Sequence, residues 1–169
     1  MTREAFKFVF LIIGAMLLQI LVCNHIVLFD IATPIIFIYI IIGLPVSLNP
    51  SLLYTIAFLL GLCIDIFSDT PGVNALACTL LAALKKPVYF AYVDKDDHTK
   101  TLSPSVASLG LVTYAKYLAS MTGIYCLLVF SIEYFNFADV KEIVVISAAS
   151  SLFSFLTLLA VDCLIKSKT

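Results

Sequence analysis

Apolar residues occupy this chain in long, continuous blocks parted by short polar joins. Six blocks stand out, at Phe8 to Cys23, Pro34 to Ser47, Pro50 to Phe67, Val73 to Tyr92, Leu109 to Ser131 and Ile143 to Ile165. They lack the two-residue alternation that a membrane β-barrel strand needs to separate its lipid face from its lumen. Continuous blocks of about 20 apolar residues instead fit helices crossing about 30 Å of hydrocarbon, where every backbone group must be satisfied internally. The pattern therefore predicts an all-α integral membrane protein, a bundle of six transmembrane helices. The second block is short and carries Pro34 in its first turn and Pro45 near its end, which marks it as a span that is scarcely tilted, broken or re-entrant.

Composition agrees, with 62% apolar and 12% charged residues and a mean hydropathy of +1.11. The blocks leave little chain for a soluble domain, so residues 1–169 read as one transmembrane domain. A formal net charge of −1 and the lack of a basic cluster give no surface for nucleic acid. Charge does orient the chain. Arg3, Lys7, Lys85, Lys86, Lys95, Lys100, Lys166 and Lys168 fall on one side of a six-span arrangement and Lys141 on the other. The positive-inside rule then places both termini in the cytoplasm. The basic start followed by an apolar block resembles a secretory signal, but no small-x-small cleavage site follows, and Val22 stands where a lipoprotein signal needs a small residue. A retained first helix is the expectation.

Chemistry-bearing residues are sparse. Cys23, Cys63, Cys78, Cys126 and Cys163 are scattered without a Cys-x-x-Cys pair, and His25 and His98 stand alone in connections. Packing thiols are expected, with no metal or cofactor. No His-Glu-x-x-His or Gly-x-Ser-x-Gly motif is present, so no enzyme is expected. The polar stretch Asp94 to Thr101 reads as a solvated cytoplasmic loop. Lys85 and Lys86 suggest that the fourth span stops near Leu84, leaving Pro87 to Tyr92 in the headgroup region. Asp162, four residues before Lys166, reads as an ordinary i,i+4 pair at a helix end.

The join between the third and fourth spans is different. It reads Gly61-Leu62-Cys63-Ile64-Asp65-Ile66-Phe67-Ser68-Asp69-Thr70-Pro71-Gly72. Counted from Pro50, Asp65 lies about 22 Å along its helix, still inside the bilayer. An unpaired carboxylate there costs roughly 2.5 to 3.5 kcal/mol on insertion scales. Two readings of Asp65 stand side by side, a structural anchor for freed backbone amides and a functional intramembrane acid. Ser68 or Asp69 can cap the fourth helix. Lys116 is a possible counter-ion for Asp65, or else snorkels to the cytoplasmic surface. Ala115, Ala119 and Gly123 recur at four-residue spacing in the fifth span. Ser147, Ser150 and Ser154 mark a small polar face of the sixth. Such faces suit close helix contact, within the bundle or with a partner's helix.

The segment Gly61 to Leu76, with Gly, three residues, Asp, and then a Pro-Gly turn into the next helix, resembles the rod shape-determining protein MreD family. Overall size and the basic cytoplasmic ends agree with that likeness. The resemblance implies a fold like the substrate-binding subunits of energy-coupling factor transporters. It also implies a bacterial inner-membrane scaffold, not an enzyme, in the elongasome that organises lateral peptidoglycan synthesis and cell shape. The implied partners are an MreC-like single-span protein, an MreB-like actin homologue and the glycosyltransferase and transpeptidase of wall synthesis. Gly61, Asp65, Pro71 and Gly72 are the positions carried over. The fold likeness supplies a rival, a subunit that binds a vitamin for uptake, for which the outer polar residues Asn24, His25, Asp30, Asp65, Asp69, Asn74, Glu133, Asn136 and Asp139 are the material.

Overall fold

The computed structural model describes residues 34–93, 103–133 and 140–166, together with positions 14, 16, 17 and 19. Its elements are α1 (Ile38–Gly43), α2 (Pro50–Ser68), α3 (Val73–Tyr92), α4 (Val106–Leu109), α5 (Leu111–Glu133) and α6 (Val140–Lys166). No strand occurs among the described residues. Among the described residues, three helices are long and apolar enough to cross a membrane, namely α2, α5 and the Ile143–Asp162 part of α6. The first block, Phe8 to Cys23, lies mostly outside the described residues, as do the loop Asp94 to Thr101 and both histidines.

Helices α2 and α3 form a tight hairpin, α3 packs on α5, and α5 packs on α6. The outer faces are apolar. Leu52, Phe58, Leu59, Ile66 and Phe67 of α2 and Val144, Val145, Leu152 and Leu156 of α6 are all exposed. Only 22% of the apolar window within Ile143–Asp162 is buried inside the protein, and its exposed apolar face suits a lipid environment.

At the centre lies α1, with Ile38, Ile40, Ile41 and Ile42 buried. It packs against α3 and α5. Six residues rise only about 9 Å, so the Pro34 to Ser47 block is not a continuous spanning helix. Prolines at both flanks are the cause, since each lacks a donor and restricts the residue before it. Side chains from elsewhere satisfy the irregular backbone, as an apolar interior requires. The Ile35 amide donates to Ser154 Oγ at 2.9 Å. The Ile36 amide donates to Gln19 Oε1 at 2.7 Å, and Gln19 Nε2 donates back to Pro34 O at 3.1 Å.

The fourth span also departs from expectation. Helix α3 does not stop near Leu84 but continues through Lys85, Lys86 and Pro87 to Tyr92. Lys85 turns inward and is fully buried. Its Nζ donates to Ile41 O at 2.7 Å and to Leu44 O, the carbonyls that the broken span leaves open at the end of α1.

Asp162 has partners far along the chain as well as the lysine four positions on that the spacing suggested. It is buried, accepts from Tyr39 Oη at 2.7 Å and faces the Val106 amide at 3.3 Å. It thereby joins α1, α4 and α6, while the Lys166 side chain lies outside what is described. Gly110, with φ 77°, parts α4 from α5, so the long helix begins at Leu111.

Candidate functional site

The turn between α2 and α3 collects the motif residues. Helix α2 ends where Asp69 enters the left-handed region, φ 55° and ψ 32°. Pro71 cannot continue a helix because it has no N–H. Gly72, at φ 84°, takes a conformation open to glycine and costly for other residues. Two left-handed residues three positions apart thus reverse the chain, and α3 starts at Val73.

A helix start leaves several amides without partners. Here they are met by a side chain from the neighbouring helix. Asp65 Oδ1 accepts from the Asn74 amide at 2.9 Å, and Oδ2 accepts from the Ala75 amide at 2.8 Å. Oδ1 also receives Asn74 Nδ2 at 3.0 Å and Thr70 Oγ1 at 2.9 Å. The carboxylate, 4% exposed, lies at the positive end of the α3 dipole. It performs the work of an N-cap, although Gly72, the residue in the cap position, has no side chain to offer.

Gly61 makes this reach possible. A Cβ at that position would stand 2.5 Å from Ala75 Cα and from Asn74 O. The backbones of α2 and α3 touch there, one turn before Asp65. Close approach at Gly61 sets the carboxylate within bonding distance of two amides on a different helix.

The network extends inward. Tyr125 Oη of α5 donates to Asn74 Oδ1 at 2.6 Å, and Asn74 Nδ2 also lies 3.1 Å from Thr70 Oγ1. The Tyr125 ring meets Phe37 edge-on, with centroids 5.7 Å apart. Asp65 is therefore coupled through Asn74 and Tyr125 to the broken span at the core. On the outside, Leu62, Asp65, Ile66, Asp69, Thr70, Pro71 and Gly72 line an open groove of about 300 Å³. Asp69 is exposed at its rim and Ser68 is half-buried.

The other candidate residues do not join this cluster. Lys116 is exposed and lies nine residues before Tyr125, about 14 Å along α5 from the residue that meets the network. The structure does not bring it to Asp65, whose oxygens are occupied by Thr70, Asn74 and Ala75. Ser147, Ser150 and Ser154 are buried inside the bundle. Gly123 and Ser147 line a second open groove with Leu127, Val144, Ala148 and Ser151. Ala115 is half-buried and Ala119 exposed.

Among the described residues no group of three His, Cys, Asp or Glu side chains is placed to hold a metal ion. Sequence reasoning passed over Tyr125, Gln19 and the inward turn of Lys85, and it placed Asn74 only among possible ligand contacts, without its bonds to Asp65. Asn74 was legible as an amide side chain in the first turn of an apolar helix. Tyr125 and Gln19 carried no signal beyond polarity inside an apolar block. No family model, curated protein or solved structure matches this chain.

Proposed function

We propose that the protein is a non-enzymatic scaffold of the bacterial inner membrane. It has six membrane passages with both ends in the cytoplasm, and serves the machinery that organises lateral peptidoglycan synthesis and cell shape. The observation that carries this reading is the engagement of Asp65. Four hydrogen bonds hold the one motif carboxylate that lies inside the bundle, three on Oδ1 and one on Oδ2, so it acts as a fastening between α2 and the start of α3. The resemblance of Gly61 to Leu76 to the MreD family points the same way, and Gly61, Asp65, Pro71 and Gly72 each have a geometric task in the hairpin. The rigid α2–α3 hairpin then offers an apolar, lipid-facing surface to partner helices. The partners proposed are an MreC-like single-span protein and, through it, an MreB-like filament and the wall synthases.

The test is photocrosslinking in native membranes from positions that the fold leaves outside. Ser68, Ala119 and Leu152 serve, being half-buried or exposed, whereas Ser150 is buried and reports only on the bundle. Capture of an MreC-like protein or a wall synthase is the expected result. Capture of an ATPase-linked transporter subunit would instead move the protein to vitamin uptake.

A further inference from the structure

The carbonyls at the end of a helix carry a partial negative charge and lack intrahelical donors. When such an end lies inside a membrane protein, at a break in a span, it is a site for a cation. The C-terminal end of α1 is of this kind. Ile41 O and Leu44 O converge there on one donor, and Ile38, Ile40, Ile41 and Ile42 of α1 are themselves buried and apolar. Both carbonyls are taken by Lys85 Nζ, which arrives from α3, more than 40 positions along the chain.

We propose that the break in the second span is a binding site for a primary ammonium group, permanently filled by the protein's own Lys85. The ligand is tethered, so the site does not load and release. The C-terminal end of α1 is held in one state by a head group that cannot leave. Three features support this. The head group is fully buried although lysine is among the residues least often found inside. Snorkelling to an aqueous surface is open to a lysine near a helix end, and the neighbouring Lys86 is partly exposed, so the inward turn of Lys85 reflects a specific destination. The helix carrying Lys85 also runs on past Pro87, without the stop that an outward lysine pair would mark.

The experiment uses the full-length protein in lipid nanodiscs, with unfolding followed by helical circular dichroism. Two variants, Lys85→Ala and Lys85→Met, are compared with the unaltered chain. Each is expected to melt about 10 °C lower, since each strands two buried carbonyls. Adding n-propylammonium, which replaces the atoms missing from Lys85→Ala, should restore most of that loss. Propan-1-ol at the same concentration should not, and Lys85→Met, whose side chain fills the space, should respond to neither. The idea is overturned if Lys85→Met melts with the unaltered protein, if propanol rescues as well as the ammonium, or if the ammonium fails to rescue Lys85→Ala. Should Lys85→Ala give no folded protein, the melting of Lys85→Met decides alone.

Discussion

The α2–α3 turn and the broken span around α1 solve one problem with opposite signs. In each, helix-end backbone groups are left open in apolar surroundings, and one buried ionisable side chain closes them. At the turn the groups are amides and the closing residue is the anion Asp65. At the break they are carbonyls and the closing residue is the donor Lys85. The difference is range. Asp65 reaches nine and ten positions along the chain, Lys85 reaches back 44 and 41. A short-range closure leaves a motif that can be read along the chain, and a long-range one does not.

The comparison breaks first at Asp65. Asp65→Leu strands the Asn74 and Ala75 amides and should cost about 3 kcal/mol or more, seen as a melting temperature about 10 °C lower. Asp65→Asn, which keeps one acceptor but aims an amide at a backbone N–H, should fall between. Gly61→Ala comes next, at about 2 kcal/mol, because its Cβ meets backbone that cannot yield. Its effect and that of Asp65→Asn should sum to less than the two apart, since both open the same contact. A purely additive double variant would show that close approach and carboxylate reach are independent.

Smaller effects sharpen the other half. Ser154→Ala removes the acceptor of the Ile35 amide and should cost about 1 kcal/mol. Ser151→Ala, on the groove side, should be close to neutral by the same melting assay. Tyr125→Phe should likewise cost about 1 kcal/mol by leaving Asn74 Oδ1 without its donor. Asp69→Gly is expected to raise stability by about 0.5 kcal/mol, because φ 55° suits glycine better than aspartate. A loss there would mean that the exposed Asp69 carboxylate has a role the backbone alone does not explain.

Much of the helical layout was legible. Pro50 at the start of α2 and the Pro71-Gly72 pair before α3 are local signals that survive any tertiary arrangement, and α3 starts at Val73 as its apolar block indicates. The candidate site was legible in part for the same reason. Gly61, Asp65, Pro71 and Gly72 lie within twelve positions of one another. What escaped is non-local. Two lysines in an apolar block look like an interface, because hydropathy counts charge without knowing where a carbonyl waits. Asp162 looked like half of an i,i+4 pair, because Tyr39 is 123 positions away. The second span was marked as irregular by Pro34 and Pro45, yet its helical core, Ile38–Gly43, is set by neighbours that supply Gln19, Ser154 and Lys85.

Helix α3 carries an attachment at each of these places, receiving Asp65 through Asn74 and Ala75 and sending Lys85 to α1. Ten positions separate Ala75 from Lys85, and each residue turns a helix by about 100°. Inserting or deleting one residue between them would swing the lysine out of the core while leaving the apolar composition intact. This stretch should therefore be closed to length variation even where it tolerates exchange of one apolar side chain for another. A scan of single-codon insertions would show the boundary as an abrupt gap between Ala75 and Lys85, with tolerance returning beyond Tyr92.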